Sequence, residues 1–201
     1  MHEHWNNSTD KQYSRNLGKE EGIELIRIEG TQEEAKEEQG MESKTLVVYF
    51  SCTGTTKTLA EYAVDILGAD LYEIVPEQPY TEADLAYYTG GRADQEQNDP
   101  DARPAISGSV ENMEDYDTVI LGYPIWHGQA PRIISTFLES YDFSGKTIVP
   151  FCTSHSSGVG SSADNLHPLC ADSAEWKDGV RFGGGTQKET VEEWLADIGV
   201  K

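Results

Sequence analysis

With 201 residues, the chain is long enough to bury one sizeable α/β core with an appendage, and two full domains would be cramped. Its 36 acidic against 15 basic side chains give a formal net charge of −21, which argues against nucleic acid or an anionic membrane as a partner and favours a protein with a basic docking face. The 3 cysteines form no C-x-x-C pair, no apolar run approaches the length that spans a bilayer, and the N-terminus lacks a hydrophobic signal core, so a soluble protein of the reducing cytoplasm is expected.

Residues 1–43 are polar and rich in Glu and Gln, with one short apolar run at Ile23–Ile28. They are expected to be a disordered or loosely attached acidic extension, and Met41 is a candidate translation start. From residue 44 to 201 strands and helices alternate as in a single domain. The first strand is Leu46–Phe50. The first helix runs from about Thr56 to Leu67 and is stopped by Gly68. Leu71–Val75 is the second strand. A long polar excursion follows, punctuated by Pro76, Pro79, Gly90, Gly91, Pro100 and Pro104, of the kind that carries function or disorder. Thr118–Tyr123 is the third strand, Pro131–Tyr141 an amphipathic helix, Lys146–Cys152 the fourth strand and Ser161–Leu169 a shorter helix. Trp176–Phe182 reads as a fifth strand, and Lys188–Ile198 as a last helix with Val191, Trp194, Leu195 and Ile198 on one side. Five strands with helices between them imply a parallel sheet covered on both faces.

Ligands of such sheets bind beyond the carboxyl ends of the strands, where the strand order reverses. The loop after the first strand is S-C-T-G-T-T, Ser51 to Thr56. Its hydroxyls, a glycine that admits close backbone approach, and the unpaired amides of the helix that follows make a site for a phosphate. It lacks both the lysine of a Walker loop and the G-x-G-x-x-G of a dinucleotide loop, so the donors are neutral and suit a terminal monophosphate. After the third strand, Y-P-I-W-H-G-Q-A-P (Tyr123 to Pro131) places Tyr123, Trp126 and His127 where they can cover a flat ring. After the fourth, T-S-H-S-S-G-V-G-S-S (Thr153 to Ser162) offers amides and hydroxyls to a ring's polar edge.

The combination Y-F-S-x-T-G-x-T, then Y-P-I-W, then F-C-T-S with a glycine/serine loop is similar to the short-chain bacterial flavodoxin family over residues 44–201. The resemblance implies an α/β, flavodoxin-like, doubly wound five-stranded parallel sheet in the order 2-1-3-4-5 with helices on both faces. It also implies noncovalent flavin mononucleotide (FMN), with the flavin ring carrying the chemistry and no catalytic side chain. By matching position, Ser51, Thr53, Gly54 and Thr56 would hold the phosphate, with Cys52 and Thr55 adding backbone contacts. The ring would lie against Tyr123, Pro124, Ile125, Trp126, His127 and Gly128, and its polar edge against Thr153, Ser154, Ser156 and Gly158. Relatives commonly carry asparagine in place of Thr55 and a second aromatic in place of His127. The imidazole can donate a hydrogen bond or carry charge near neutral pH, which makes His127 a candidate for redox tuning.

The expected function is a low-potential one-electron carrier serving redox partner proteins. The alternatives are an FMN-dependent NAD(P)H:quinone-type reductase and a cofactor-free binding scaffold. Other chemistry fits less well. Gly158-x-Gly160-x-x-Ala163 matches a relaxed dinucleotide fingerprint but lacks the ribose-binding acid about 20 residues on. Cys152, His155, His167 and Cys170 have zinc-like spacing, yet Cys152 belongs to a buried strand and His155 to the ligand loop, so no metal is expected. Cys52 sits in a phosphate loop as a phosphatase nucleophile would, without the arginine that class requires.

Overall fold

The computed structural model describes residues 43–200, so the acidic extension, Ile23–Ile28 and Met41 lie outside the described residues. Strand β1 (Thr45–Tyr49) is central, and Leu46, Val47, Val48 and Tyr49 are all at most 2% exposed. Its two neighbours are parallel: β2 (Asp70–Glu73) on one side and β5 (Thr118–Pro124) on the other. Beyond β5 lies β6 (Thr147–Thr153), and the edge is shared by β7 (Glu175–Trp176) and β8 (Val180–Phe182), both parallel to β6. The order β2-β1-β5-β6-β7 is the expected doubly wound arrangement.

The near-continuous apolar runs of β1, β5 and β6 reflect burial on both faces, and the period of two sorts each strand between two cores. Leu46, Val48, Leu121, Tyr123, Ile148 and Cys152 fall in one cluster, with Ile133, Ile134, Phe137 and Leu138 of helix α4 (Arg132–Glu139). Val47, Tyr49, Ile120, Val149 and Phe151 fall in the other, against Leu59, Ala60 and Ala63 of α1 (Thr55–Leu67) and Val191 and Leu195 of α6 (Lys188–Asp197). Helix α1 ends as its sequence requires: Gly68 takes the left-handed conformation at φ 65° and donates its amide to Val64 O at 2.8 Å.

Two expectations are corrected. The fifth strand is not continuous over Trp176–Phe182 but breaks at residues 177–179. Ile148 pairs with Trp176 and Phe151 with Val180, so the edge strand carries one residue more than β6 over the same span. Pro150 of β6 lies opposite this bulge; it has no amide to donate, and a Cβ on Gly179 would meet its ring at 3.3 Å. The helix expected over Ser161–Leu169 is likewise shorter. It is α-helical only over α5 (Ser162–Leu166), and Pro168 confines residues 167–169 to a 3₁₀ turn.

The excursion is built as a unit that packs on the first cluster. After Ile74, which is 1% exposed, β3 (Val75–Pro76) pairs antiparallel with β4 (Ile106–Ser107). Between them lie α2 (Glu82–Leu85), opened by a capping box of Thr81 and Asp84, and α3 (Arg92–Asn98). Ala93 of α3 and Met113 and Tyr116 after β4 join the buried cluster.

Candidate functional site

The loops after β1, β5 and β6 meet at the carboxyl edge of the sheet and, with part of the excursion, enclose a cleft of about 370 Å³. At one end lies the hydroxyl loop. Gly54 takes φ 86°, reachable at little cost without a Cβ, and its amide donates to Ser51 Oγ at 3.1 Å. This closes a tight turn at the entrance to α1. Thr58 N is the first amide of the helix to find a carbonyl, Gly54 O at 3.0 Å, while those of Cys52, Thr53, Thr55, Thr56 and Lys57 have no acceptor among the described residues. The helix has no side-chain cap and no acid in its first turn, in a chain that carries 36 acids. Unpaired amides, a helix dipole and absent negative charge together favour an anion. Thr56, 1% exposed, bonds Thr153 Oγ1 through its own hydroxyl at 2.8 Å and so ties this loop to the one after β6.

At the other end the chain makes a two-residue turn. Trp126 and Gln129 exchange backbone hydrogen bonds of 2.9 and 3.1 Å, and His127 and Gly128 between them both have positive φ, 50° and 79°. This is the type I′ geometry, in which glycine is at ease and a histidine needs support from elsewhere. The excursion supplies that support. Gln97, 4% exposed, donates from Nε2 to Trp126 O at 3.0 Å and Ala130 O at 3.2 Å, and accepts from Arg132 N at 3.0 Å. Asp94, 5% exposed, faces His127 Nε2 at 2.8 Å through Oδ1 and accepts Gly90 N at 2.9 Å through Oδ2. Burial by itself would raise the Asp94 carboxyl, but the amides of Gly90, Tyr88 and Thr89 and the His127 ring outweigh it and hold its pKa below the ordinary value. Behind the turn, Trp126 meets Phe50 and Tyr80 edge-on with ring centres 5.5 and 5.2 Å away. Tyr80 is held by Glu96 at 2.5 Å and covered by the Arg92 guanidinium at 4.2 Å from its ring centre.

Of the residues expected from sequence, the structure places Ser51, Cys52, Thr53, Thr55, Thr56, Pro124, Ile125, Trp126, His127, Thr153 and Ser154 along the cleft. Others fall elsewhere. Gly54 shapes the turn without lining the cleft. Tyr123 points with Leu121 into the core at 1% exposure, where burial pushes its phenol up to about 12. Gly128 turns its carbonyl to Ser161 N at 3.2 Å, beneath Gly160, where a Cβ would come within 1.9 Å of that oxygen. Ser156 and Gly158 are exposed on the outer part of their loop. Cys152 is wholly buried and His167 stacks on Trp176 at 4.3 Å, so the zinc-like set does not converge. Cys52 is exposed as a residue, yet partial burial of its sulfur pushes the thiol up to about 11 against the pull of Arg92, which leaves it a poor nucleophile at neutral pH.

Sequence reasoning missed Leu85, Tyr87, Ala93, Asp94, His155 and Gly184, which also line the cleft. Asp94 lies in a short polar helix whose one signal is Gly90-Gly91 just before it. His155 lay within a segment already assigned to the ligand; Gly184 belongs to the loop after β8, which had no assigned part.

The flavodoxin family profile matches residues 44–198, most of the chain. The chain belongs to the flavodoxin family. Two solved structures from Bacteroides, provisionally described as flavoproteins, are similar to it throughout the described domain. The one from Bacteroides eggerthii is 47% identical, covers 79% of this chain and 99% of its own, and superposes with a TM-score of 0.73. The one from Bacteroides uniformis is 40% identical, with coverage of 77% and 98% and a TM-score of 0.72. A flavoprotein from Lactobacillus acidophilus, crystallised in complex with FMN, shares the fold at 23% identity and a TM-score of 0.60, over 79% of this chain and 99% of that one.

Proposed function

We propose that this flavodoxin-family chain binds FMN in the cleft and works as an electron carrier for partner proteins. The observation that carries the reading is the uncapped, acid-free entrance to α1, with the amides of Cys52, Thr53, Thr55, Thr56 and Lys57 unpaired at one end of an aromatic-walled cleft. The donor set fits this cofactor. Neutral hydroxyls and amides suit a phosphate monoester, and the apolar Ile125, Trp126 and Leu85 with the planar rings of Tyr87 and His127 suit a flat heterocycle.

The hydroxyls of Ser51, Thr53 and Thr56 and the loop amides would hold the phosphate. Thr56 and Thr153, bonded to each other, fix the distance between the phosphate loop and the loop after β6. Trp126 and Ile125 exclude water from the ring, and Gln97 holds the backbone of the ring loop in place before any ligand arrives. When bound, the flavin itself supplies one- or two-electron transfer, and the protein sets its orientation and potential. No side chain is required as a nucleophile. The large negative charge supports docking to a partner with a basic face.

The reductase reading is favoured by a specific feature, the exposed pair Tyr87 and Tyr88 at the cleft rim, 51% and 87% exposed, which could stack a planar substrate. The test is the visible spectrum of the purified full-length protein, reconstitution with FMN, and anaerobic titration with dithionite and then with NADH or NADPH. A flavin spectrum reduced by dithionite and not by nicotinamides supports the carrier. Direct nicotinamide oxidation supports the reductase, and a colourless protein that takes up no FMN supports a scaffold.

A further inference from the structure

The excursion contributes one ionised, buried side chain to the cleft, and its geometry restricts what His127 can do. Both Asp94 oxygens are engaged, Oδ1 by His127 Nε2 at 2.8 Å and Oδ2 by Gly90 N at 2.9 Å, so the carboxylate cannot turn away. An ionised carboxylate only accepts, and a neutral imidazole beside it must therefore donate from Nε2 and keep a lone pair on Nδ1. Nδ1 has no hydrogen-bond partner among the described residues. The ring's place is further fixed by the turn at φ 50° and by the rings of Tyr87 and Tyr88, centred 5.1 and 5.4 Å away.

We propose that Asp94 is the positioning residue for His127, holding the hydrogen on Nε2 and leaving Nδ1 as the atom that takes up a proton when the cofactor in the cleft becomes more negative. The proposal rests on the FMN reading above. Electrons come from a reduced redox-partner protein, or from dithionite in the test, the proton comes from solvent, and its uptake at Nδ1 would offset the negative charge left on the reduced cofactor. The groups that face His127 are few. Asp94 comes from α3 and Tyr87 and Tyr88 from the segment before it, and His155 shares the cleft from the loop after β6. Among the described residues no lysine or arginine lines the cleft, and Arg92, the cation on α3, is taken by Glu96 at 2.6 Å and Gln78 O at 2.7 Å. Burial pushes Tyr87 upward, and Tyr88 and Asp94 add to the rise, so its phenol stays neutral. Among the described residues, Asp94 is thus the only fixed charge in contact with the imidazole.

Two measurements test this, one of which needs no cofactor. In the cofactor-free full-length protein, ¹⁵N NMR of the imidazole above neutral pH should show His127 with hydrogen on Nε2 and a bare Nδ1, and Asp94→Asn, which can donate as well as accept, should relax that preference. In the FMN-loaded protein, reduction potential against pH should show an inflection that His127→Phe removes and that Asp94→Asn moves toward acid, because a neighbouring negative charge is lost. A hydrogen on Nδ1 in the wild-type protein overturns the proposal, as does a potential curve for Asp94→Asn that superimposes on wild type. Circular dichroism confirms that each variant folds. If the protein takes up no FMN the function reading fails by itself, while the tautomer measurement still decides whether Asp94 positions His127.

Discussion

The two ends of the cleft are built on opposite plans. The phosphate end is one contiguous hexapeptide, Ser51 to Thr56, made of neutral donors whose amides are left open by the fold itself. The ring end is assembled from segments well separated in the chain: a two-residue turn after β5 is held by Gln97, Asp94 and Tyr80, all from the excursion, and includes a buried carboxylate–imidazole hydrogen bond. A local site can be specified by propensity and a glycine. A distant one needs its supporting elements folded first, so its residues answer to stability as well as to binding. Substitutions at the ring end should therefore cost stability and cofactor together, and those at the phosphate end cofactor alone.

The largest expected effect is at Trp126. It is 8% exposed and packs on Phe50 and Tyr80, so Trp126→Ala should cost about 3 to 5 kcal/mol of folding free energy, read from urea unfolding of the cofactor-free protein. The same variant should loosen FMN and raise its fluorescence. An unchanged unfolding midpoint would remove Trp126 from the core, and unchanged cofactor emission would make it a packing residue only.

Gln97→Ala comes next. It strands Ala130 O and Arg132 N and leaves Trp126 O with Gln129 N alone, and each stranded group costs about 1 to 3 kcal/mol unless water reaches it. With partial rescue by water, a loss of about 2 to 3 kcal/mol in stability is expected, together with weaker FMN binding. If stability falls while FMN affinity holds, the ring loop does not depend on the excursion and the contrast between the two ends collapses.

This contrast also governs what was legible in the chain. The sheet order, the first helix and the phosphate loop follow from contiguous patterns: an apolar run of strand length, a helical repeat closed by Gly68, and hydroxyls packed around Gly54. The ring loop was legible as a location but not in detail. Tyr123 reads as a ring contact because it ends a strand, yet the strand's alternation sends it inward with Leu121. The supporting residues carry no local signal, since an Asp and a Gln three apart in a short polar helix look like a solvated face until the fold sets that face against Trp126 and His127. The break in the edge strand is of the same kind. It depends on Pro150 in the neighbouring strand, a pairing that sequence order does not reveal.

At the phosphate end the expected effect is smaller and specific. Thr53→Ala removes an exposed hydroxyl donor and touches no core residue, so stability should hold within about 0.5 kcal/mol. A charge-assisted hydrogen bond contributes about 1.5 to 3 kcal/mol, so FMN should bind about 10-fold more weakly, and riboflavin, which has no phosphate, should be unaffected. Isothermal titration with both ligands checks it, and equal losses for the two would put the phosphate elsewhere.

The smallest effect separates the ends by pH. Asp94 has a folded pKa held below its ordinary value of 3.8, whereas the phosphate loop contains no carboxylate, imidazole or cationic side chain. A carboxyl whose pKa is lower folded than unfolded stabilises the protein fully above its unfolded pKa, and that stabilisation fades as pH falls through the folded value. Protonated Asp94 is close in shape and charge to asparagine. The carboxylate's own contribution to the stability difference between wild type and Asp94→Asn should therefore be fully present above about pH 4 and shrink below that, in contrast to the flat difference expected for Thr53→Ala. Glu139, lowered chiefly by its hydrogen bonds with Arg103, adds acid sensitivity of its own, but it is common to both proteins and cancels in the comparison. Urea unfolding of the three proteins from pH 2.5 to 7 measures this. A wild-type-minus-Asp94→Asn difference that stays flat through the acid range would mean that the carboxylate, although buried against His127, contributes no more charge to the fold than the neutral donors at the other end.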